Sequence, residues 1–319
     1  EQNAVISSFK SYYKDSWNKK IFKKYNKYKT IMLIGMGGSI MGSRSIYSFL
    51  KNKIKKNFFF IDSFNYDEIK NIRSKSSLNL IISKSGNTLE TIVNSNILIN
   101  KKNKNIFITE NKENYLRSLA NKLKSDVIDH NNYIGGRYSV LSEVGMLPAK
   151  LMGLKVEKFR KLNQLVKNKQ FINALINNVS SILSLSKKNK FNSIILNYDQ
   201  NSSDLFCWYQ QLVAESLGKK SKGILPLISK MPQDNHSLMQ FYLDGKKNNF
   251  YTFFFSDNTF SPKINSKMID NTQKYLKNKS LNDILFSQIF ATKKVFKKKK
   301  IPFRSFEIKK RDEKTLGEL

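Results

Sequence analysis

Leu78 to Ile82 is a short apolar run that stops at Ser83-Lys84-Ser85-Gly86-Asn87-Thr88, after which Leu89, Ile92, Val93, Ile97 and Leu98 recur near period 3.6. The run suits a strand buried on both faces, and the recurrence a helix packed upon it. A chain that goes from strand through tight turn to helix in this way builds a parallel α/β layer. Asn87 is expected to cap the helix, with Glu90 reaching back as in a capping box. The N–H groups of its first turn then point at whatever Ser83, Ser85 and Thr88 hold. A phosphate dianion satisfies both, through hydrogen bonds and the helix dipole.

A second turn of similar character precedes it, at Ile34-Gly35-Met36-Gly37-Gly38-Ser39-Ile40-Met41-Gly42. Its glycines, Gly38 among them, let backbone approach a ligand closely, and Ser39 adds a hydroxyl. Such turns also serve dinucleotides. That fingerprint is not met, because the third glycine is displaced and Asp62 and Asp67 lie too far along. The two turns together suggest a sugar-phosphate site rather than a dinucleotide.

Apolar strands at Phe58 to Ile61, Leu78 to Ile82 and Asn105 to Ile108 alternate with helices at Ile40 to Leu50, Tyr66 to Arg73, Thr88 to Asn100 and Lys112 to Leu123. Helices dominate from Ser139 to Ser186, broken by Gly145, Pro148 and Gly153. A second round opens at Ser193 to Tyr198, continues at Phe250 to Phe255 and closes at Ile301 to Ile308. The expected fold is α/β: two stacked domains, residues 1–187 with the helical connection and residues 188–319, each a mainly parallel sheet flanked by helices. With 319 residues and 40% hydrophobic content, both cores can be filled.

The net charge of +33 invites a nucleic-acid reading. Only seven of the 57 basic residues are arginine, and the lysines run from Lys10 to Lys314 beside abundant Asn and Ile. That is a compositional bias, so no nucleic-acid partner is expected, although the field would draw an anionic substrate inward. No apolar run of membrane-spanning length and no signal pattern occur, and Cys207 is the sole cysteine, so a cytoplasmic protein without membrane partners is expected. The start at Glu1 and the stop at Leu319, just after the helix-like Thr315 to Glu318, suggest that both ends are cut.

Few residues can do proton chemistry. His236 stands in Pro232-Gln233-Asp234-Asn235-His236, where a helix is expected to begin, and a neutral histidine there could pass protons; a cap or surface histidine is the bland reading. His130 reads as a loop residue without a role. Gln211 and Glu215 share one helix face, and Glu215 near the helix end, where the dipole opposes a carboxylate, is either a solvated side chain or a general base of raised pKa. Arg137, in Gly135-Gly136-Arg137-Tyr138-Ser139, is either a surface arginine or a fixed guanidinium that could stabilise an oxyanion. No cluster has metal-ligand spacing.

Taken in order, the turn at Gly35 to Ser39, Ser83 to Thr91, Gly135 to Ser139, Glu215-Ser216-Leu217-Gly218-Lys219 and Gln233 to Leu238 resemble the phosphoglucose isomerase family, over residues 31 to 245. The resemblance implies two sugar-isomerase (SIS) domains that interconvert glucose 6-phosphate and fructose 6-phosphate with no metal or organic cofactor. It implies that Ser39, Ser83, Ser85 and Thr88, with Gly38, hold the substrate, and Thr91 more weakly. Glu215 would move the proton between C2 and C1, Arg137 would stabilise the cis-enediol(ate), and Gln211 would orient the sugar. His236 would assist ring opening in the partner's site of a homodimer. Two departures stand out. The family's loop usually reads Ser-Lys-Thr-x-x-Thr, whereas Ser85-Gly86-Asn87 here resembles other sugar-isomerase domains and some bifunctional phosphoglucose/phosphomannose isomerases. The family's C-terminal lysine motif is not reached before Leu319. A sugar-phosphate-binding SIS protein of weak or lost activity is the remaining alternative.

Overall fold

The computed structural model describes residues 3–65, 77–100, 103–257 and 261–319. The chain divides into two compact units: Glu1–Phe171 with Cys207–Leu212 and Asp312–Leu319, and Ile172–Phe206 with Val213–Arg311.

In the first unit the strands β1 (Thr30–Gly35), β2 (Asn57–Ile61), β3 (Leu78–Ile82), β4 (Lys104–Glu110) and β5 (Asp126–His130) form a parallel sheet in the order β2-β1-β3-β4-β5. Every residue of β3 is buried, as its two-faced apolar run predicts. Met32, Ile34, Ile81, Phe107 and Leu116 pack on one face with Leu98 and Ala120. One buried polar contact crosses this apolar layer. Asn79 on β3 stands opposite Asn105 on β4, and its Nδ2 donates to the Asn105 Oδ1 at 2.9 Å.

In the second unit β6 (Asn192–Asn197), β7 (Leu225–Lys230), β8 (Asn249–Ser256) and β9 (Phe303–Ile308) form a parallel sheet in the order β7-β6-β8-β9. All eight residues of β8 are buried, and its aromatics meet edge-on: Tyr251 with Phe296 at 4.9 Å between centroids and Phe253 with Phe303 at 5.2 Å. Here too an asparagine pair spans the central strands, Asn192 Nδ2 donating to Asn249 Oδ1 at 2.9 Å.

The two-sheet, mainly parallel α/β expectation therefore holds. Details differ. β7 and β5 add strands beyond the expected runs. The helix Glu143–Leu151 passes straight through Gly145 and Pro148, and the chain turns only at Gly153, where φ is +88°. Proline removes the donor to the carbonyl four residues back; the Val144 carbonyl instead accepts from Ser43 Oγ at 3.2 Å. Gly145 is needed for space, since a Cβ there would stand 2.0 Å from the Val140 carbonyl oxygen. The helix expected at Tyr66 to Arg73 falls outside the described residues. Among the described residues no helix is long and apolar enough to cross a membrane.

Candidate functional site

The order of the first sheet reverses between β1 and β3. In open parallel sheets a crevice forms beyond the carboxyl ends of the strands at such a reversal. Both singled-out turns begin there, since Gly35 at the end of β1 pairs with Ile82 at the end of β3. The approach is close: a Cβ on Gly35 would stand 3.0 Å from the Ile82 carbonyl oxygen and 3.3 Å from Ser39 Cβ.

After β3 the hydroxyls converge. Ser83 Oγ lies 2.8 Å from Thr88 Oγ1 and 3.4 Å from Ser85 Oγ, and accepts from the Gly86 N–H at 3.2 Å. The expected capping box does not form. Thr88 is the N-cap of the helix Leu89–Leu98 and makes no side-chain cap bond. Asn87 Oδ1 instead accepts from the Tyr115 N–H at 3.0 Å, at the start of the helix Tyr115–Lys122. Leu89 and Ile97, counted in the apolar stripe, are exposed, while Thr91, Asn94, Ser95 and Leu98 are buried.

The loop is braced by residues that sequence reasoning passed over. The Leu116 N–H donates to the Gly86 carbonyl at 3.1 Å. Gly86 has φ +69°, and a Cβ on it would fall 1.9 Å from Asn114 Oδ1. Asn114 is the N-cap of the second helix, its Oδ1 accepting from the Arg117 N–H. An Asn followed by a helical period was the available signal. Lys84 turns away from the hydroxyls: its Nζ donates to the Asn132 carbonyl at 2.7 Å and lies 3.3 Å from Glu110 Oε1. Burial works against ionising Glu110, yet hydrogen bonds from Lys112 and Lys84 hold its carboxyl below the usual range.

The glycine turn meets the arginine turn backbone to backbone. A Cβ on Gly38 would stand 2.2 Å from the Gly136 carbonyl carbon and 2.5 Å from the Arg137 nitrogen. Gly136–Leu141 is a 3-10 helix tied by Ser139, whose buried Oγ donates to the Gly136 carbonyl at 2.7 Å. The Arg137 guanidinium lies over the Tyr138 ring at 4.6 Å. Gln211 joins them, its Nε2 lying 2.9 Å from the position of a Cβ on Gly37, where φ is +55°.

The first unit thus gathers Gly38, Ser39, Ser83, Ser85, Thr88, Arg137 and Gln211 around neighbouring turns. Glu215 and His236 belong to the second unit. Glu215 is exposed in the last turn of the helix Ser203–Leu217, one turn beyond Gln211 on the same helix. His236 does not begin an α-helix as expected. It closes the 3-10 turn Gln233–Asn235, and the helix Met239–Asp244 starts three residues later. Asp234 fixes that turn, accepting from Ser229 Oγ, the Lys230 N–H and Ser237 Oγ at 2.7 to 2.9 Å.

His130 is no loop residue but the buried end of β5. Its Nδ1 lies 2.9 Å from the Asn131 carbonyl oxygen and 3.8 Å from Glu143 Oε1. Burial depresses the imidazole pKa and raises that of the Glu143 carboxyl, so both are biased toward neutrality. The polar sequence Asp126-Val127-Ile128-Asp129-His130 hid this strand.

Compared with known proteins, residues 3–293 match the family model described as Phosphoglucose isomerase. The chain is 35% identical over 268 residues to the glucose-6-phosphate isomerase of Methanocaldococcus jannaschii, covering 79% of this chain and 65% of that one, so it spans slightly under two thirds of that relative. It is 32% identical to the enzyme of the same name from Mycoplasmopsis pulmonis, over 93% of this chain and 76% of the relative. Among solved structures, a hypothetical protein from Thermus thermophilus superposes with a TM-score of 0.81 at 20% identity, over 100% of this chain and 82% of that one. A glucose-6-phosphate isomerase from Chlamydia trachomatis gives 0.71 at 18% identity, over 98% and 70%. At such identities the structures speak for the fold.

Proposed function

The chain belongs to the phosphoglucose isomerase family, and on that premise we propose that it interconverts glucose 6-phosphate and fructose 6-phosphate by proton transfer between C1 and C2. The observation that carries this reading is the meeting of two ligand-binding turns at the carboxyl ends of β1 and β3, with the Arg137 turn pressed against Gly38. Ser83, Ser85 and Thr88 hold the phosphate from one side, together with the first-turn N–H groups of the helix behind them, and Ser39 holds it from the other. Gln211 orients the sugar from beside Gly37.

With the ester anchored, the open-chain aldose presents its C2 hydrogen to Glu215. The carboxylate takes that proton, the electrons of the C2–H bond form the C1–C2 double bond, and the aldehyde oxygen gains negative charge. Arg137 stabilises this cis-enediol(ate) oxygen, the charge-stabilising step that makes abstraction beside a carbonyl feasible. A proton shifts from the C2 hydroxyl to the C1 oxyanion, and Glu215 then returns its proton to C1, where the electrons of the C1–C2 double bond form the new C–H bond and the C2 oxygen becomes the ketone. His236, serving the site of the partner subunit in a homodimer, passes the proton that ring opening needs. No step calls on a metal or an organic cofactor, and a cytoplasmic location accompanies this reading.

Glu215→Gln tests it. Turnover of fructose 6-phosphate should vanish while equilibrium binding of the same sugar phosphate persists. Retained turnover would refute the role of Glu215 and favour a binding protein of the same fold. Ser85-Gly86-Asn87 supports a second reading, in which mannose 6-phosphate is also accepted; an absence of turnover with that epimer would end it.

A further inference from the structure

Parallel α/β architecture brings the carboxyl ends of successive helices to the amino-terminal edge of their sheet. In the second unit the helices Lys169–Lys187, Met239–Asp244 and Leu281–Lys298 end at that edge, beside the starts of β6, β8 and β9. Each end carries lysines just after its last turn, where the dipole favours a cation: Lys190, then Lys246 and Lys247, then Lys299 and Lys300. Favourable one by one, they converge on a single cavity of about 170 Å³, whose lining also includes Tyr242, Asn249 and Tyr251.

The five ammonium groups have little to balance them. Among the described residues Lys299 alone of the five is ion-paired, with Asp244 Oδ1 at 2.6 Å. Lys190 donates to the Lys247 carbonyl and Lys247 to the Leu243 carbonyl, so these two are anchored at the rim. The floor is polar and ordered: the buried Asn249 is within hydrogen-bond reach of the Tyr251 hydroxyl at 3.3 Å, and that hydroxyl donates to the Tyr242 carbonyl at 3.4 Å.

Among the described residues Lys300 is one of three lysines at positive φ, with Lys124 and Lys220. Lys300 sits at φ +55°, where the Leu281–Lys298 helix ends with the Ile301 N–H donating to the Phe296 carbonyl. Glycine takes this position without strain, and a lysine there is disfavoured. Here it places a fifth cation on the cavity.

We propose that this cavity binds a compact oligophosphate, an anion of two or three linked phosphoryl groups. Several converging cations around a small concavity suit a multiply charged small anion. An extended polynucleotide would call for a basic stripe along its backbone track. The anion relieves mutual repulsion among the lysines and stabilises the second unit by mass action.

The test is calorimetric titration with sodium tripolyphosphate at physiological salt. The double variant Lys246→Ser with Lys300→Gly removes two cations and relieves the strained backbone, so it should fold at least as well as the parent. It should bind about tenfold more weakly, the effect of two exposed ion pairs. Neutralising Lys19 and Lys23 in the first unit should leave binding unchanged. Equal loss in both variants would overturn the proposal, since charge alone would then explain the affinity, and loss in neither would overturn it by placing the anion elsewhere. Binding abolished by Ser83→Ala would assign the anion to the hydroxyl pocket instead. Displacement of tripolyphosphate by a short duplex with steep salt dependence would make the occupant a polynucleotide and overturn it as well.

Discussion

Gly38 and Gly136 face each other across the meeting of two turns, yet the geometry makes them unequal. A methyl group on Gly38 would stand 2.2 Å from the Gly136 carbonyl carbon and 2.4 Å from its oxygen, about 1.2 Å inside ordinary van der Waals contact, which begins at 3.4 Å. The obstacles are backbone atoms, so no rotamer change relieves the clash. A methyl group on Gly136 would meet only the Gly38 Cα, at 3.9 Å. Gly38→Ala must therefore move the Arg137 backbone by about 1 Å, and a displacement of that size at a reacting group costs about 10²-fold in rate. The strain should lower stability by about 1–3 kcal/mol, as for other overpacked sites. Gly136→Ala should stay within about twofold of the parent in both. The assay is kcat/KM for fructose 6-phosphate in both variants, with urea unfolding alongside. Full activity in Gly38→Ala, or equal damage from Gly136→Ala, would refute the reasoning.

Ser83→Ala removes the hydroxyl that links Thr88 and the Gly86 N–H, and should raise KM for the sugar phosphate about tenfold or more, as expected for a lost bond to a charged group, with the far-ultraviolet spectrum unchanged. Arg160→Met strips a buried guanidinium that grips Asp15 at 2.7 and 3.2 Å and the Leu141 carbonyl, stranding the Asp15 charge; urea titration should show a loss of about 3–5 kcal/mol. The depressed pKa of His130 predicts stability that is complete above the ordinary imidazole value of 6.5 and is lost as pH falls below it toward the folded pKa. Urea midpoints from pH 7.5 down to 5 should show this slope in the parent but not in His130→Asn. A slope unchanged by the substitution would assign it to other groups.

Much of the fold was legible wherever burial on both faces left an unbroken apolar run. β1, β3 and β8 read as strands because nothing polar on either face interrupts them for long. β7 was missed because Pro226 argues against a central strand; it is an edge strand, where proline is tolerated. β5 was missed because three of its five residues are polar, and only pairing with β4 shows that His130 is buried. The strand-end glycines and hydroxyls were visible as local chemistry. What braces them was not, because Asn87 bonding Tyr115, or Gly86 leaving room for Asn114, joins positions 28 residues apart, beyond any periodicity.

Strands apolar on both sides carry little information about alignment, since sliding one past its neighbour still matches grease to grease. The facing asparagines change that. In each sheet a shift by a single position would break the Asn79–Asn105 or Asn192–Asn249 amide bond, and in the first sheet it would strand the groups of both buried partners. These four side chains act as alignment pins. The surrounding aliphatic residues can drift among Leu, Ile and Val with modest penalty, while exchanging either partner of a pin should permit misthreaded sheets before it unfolds the protein.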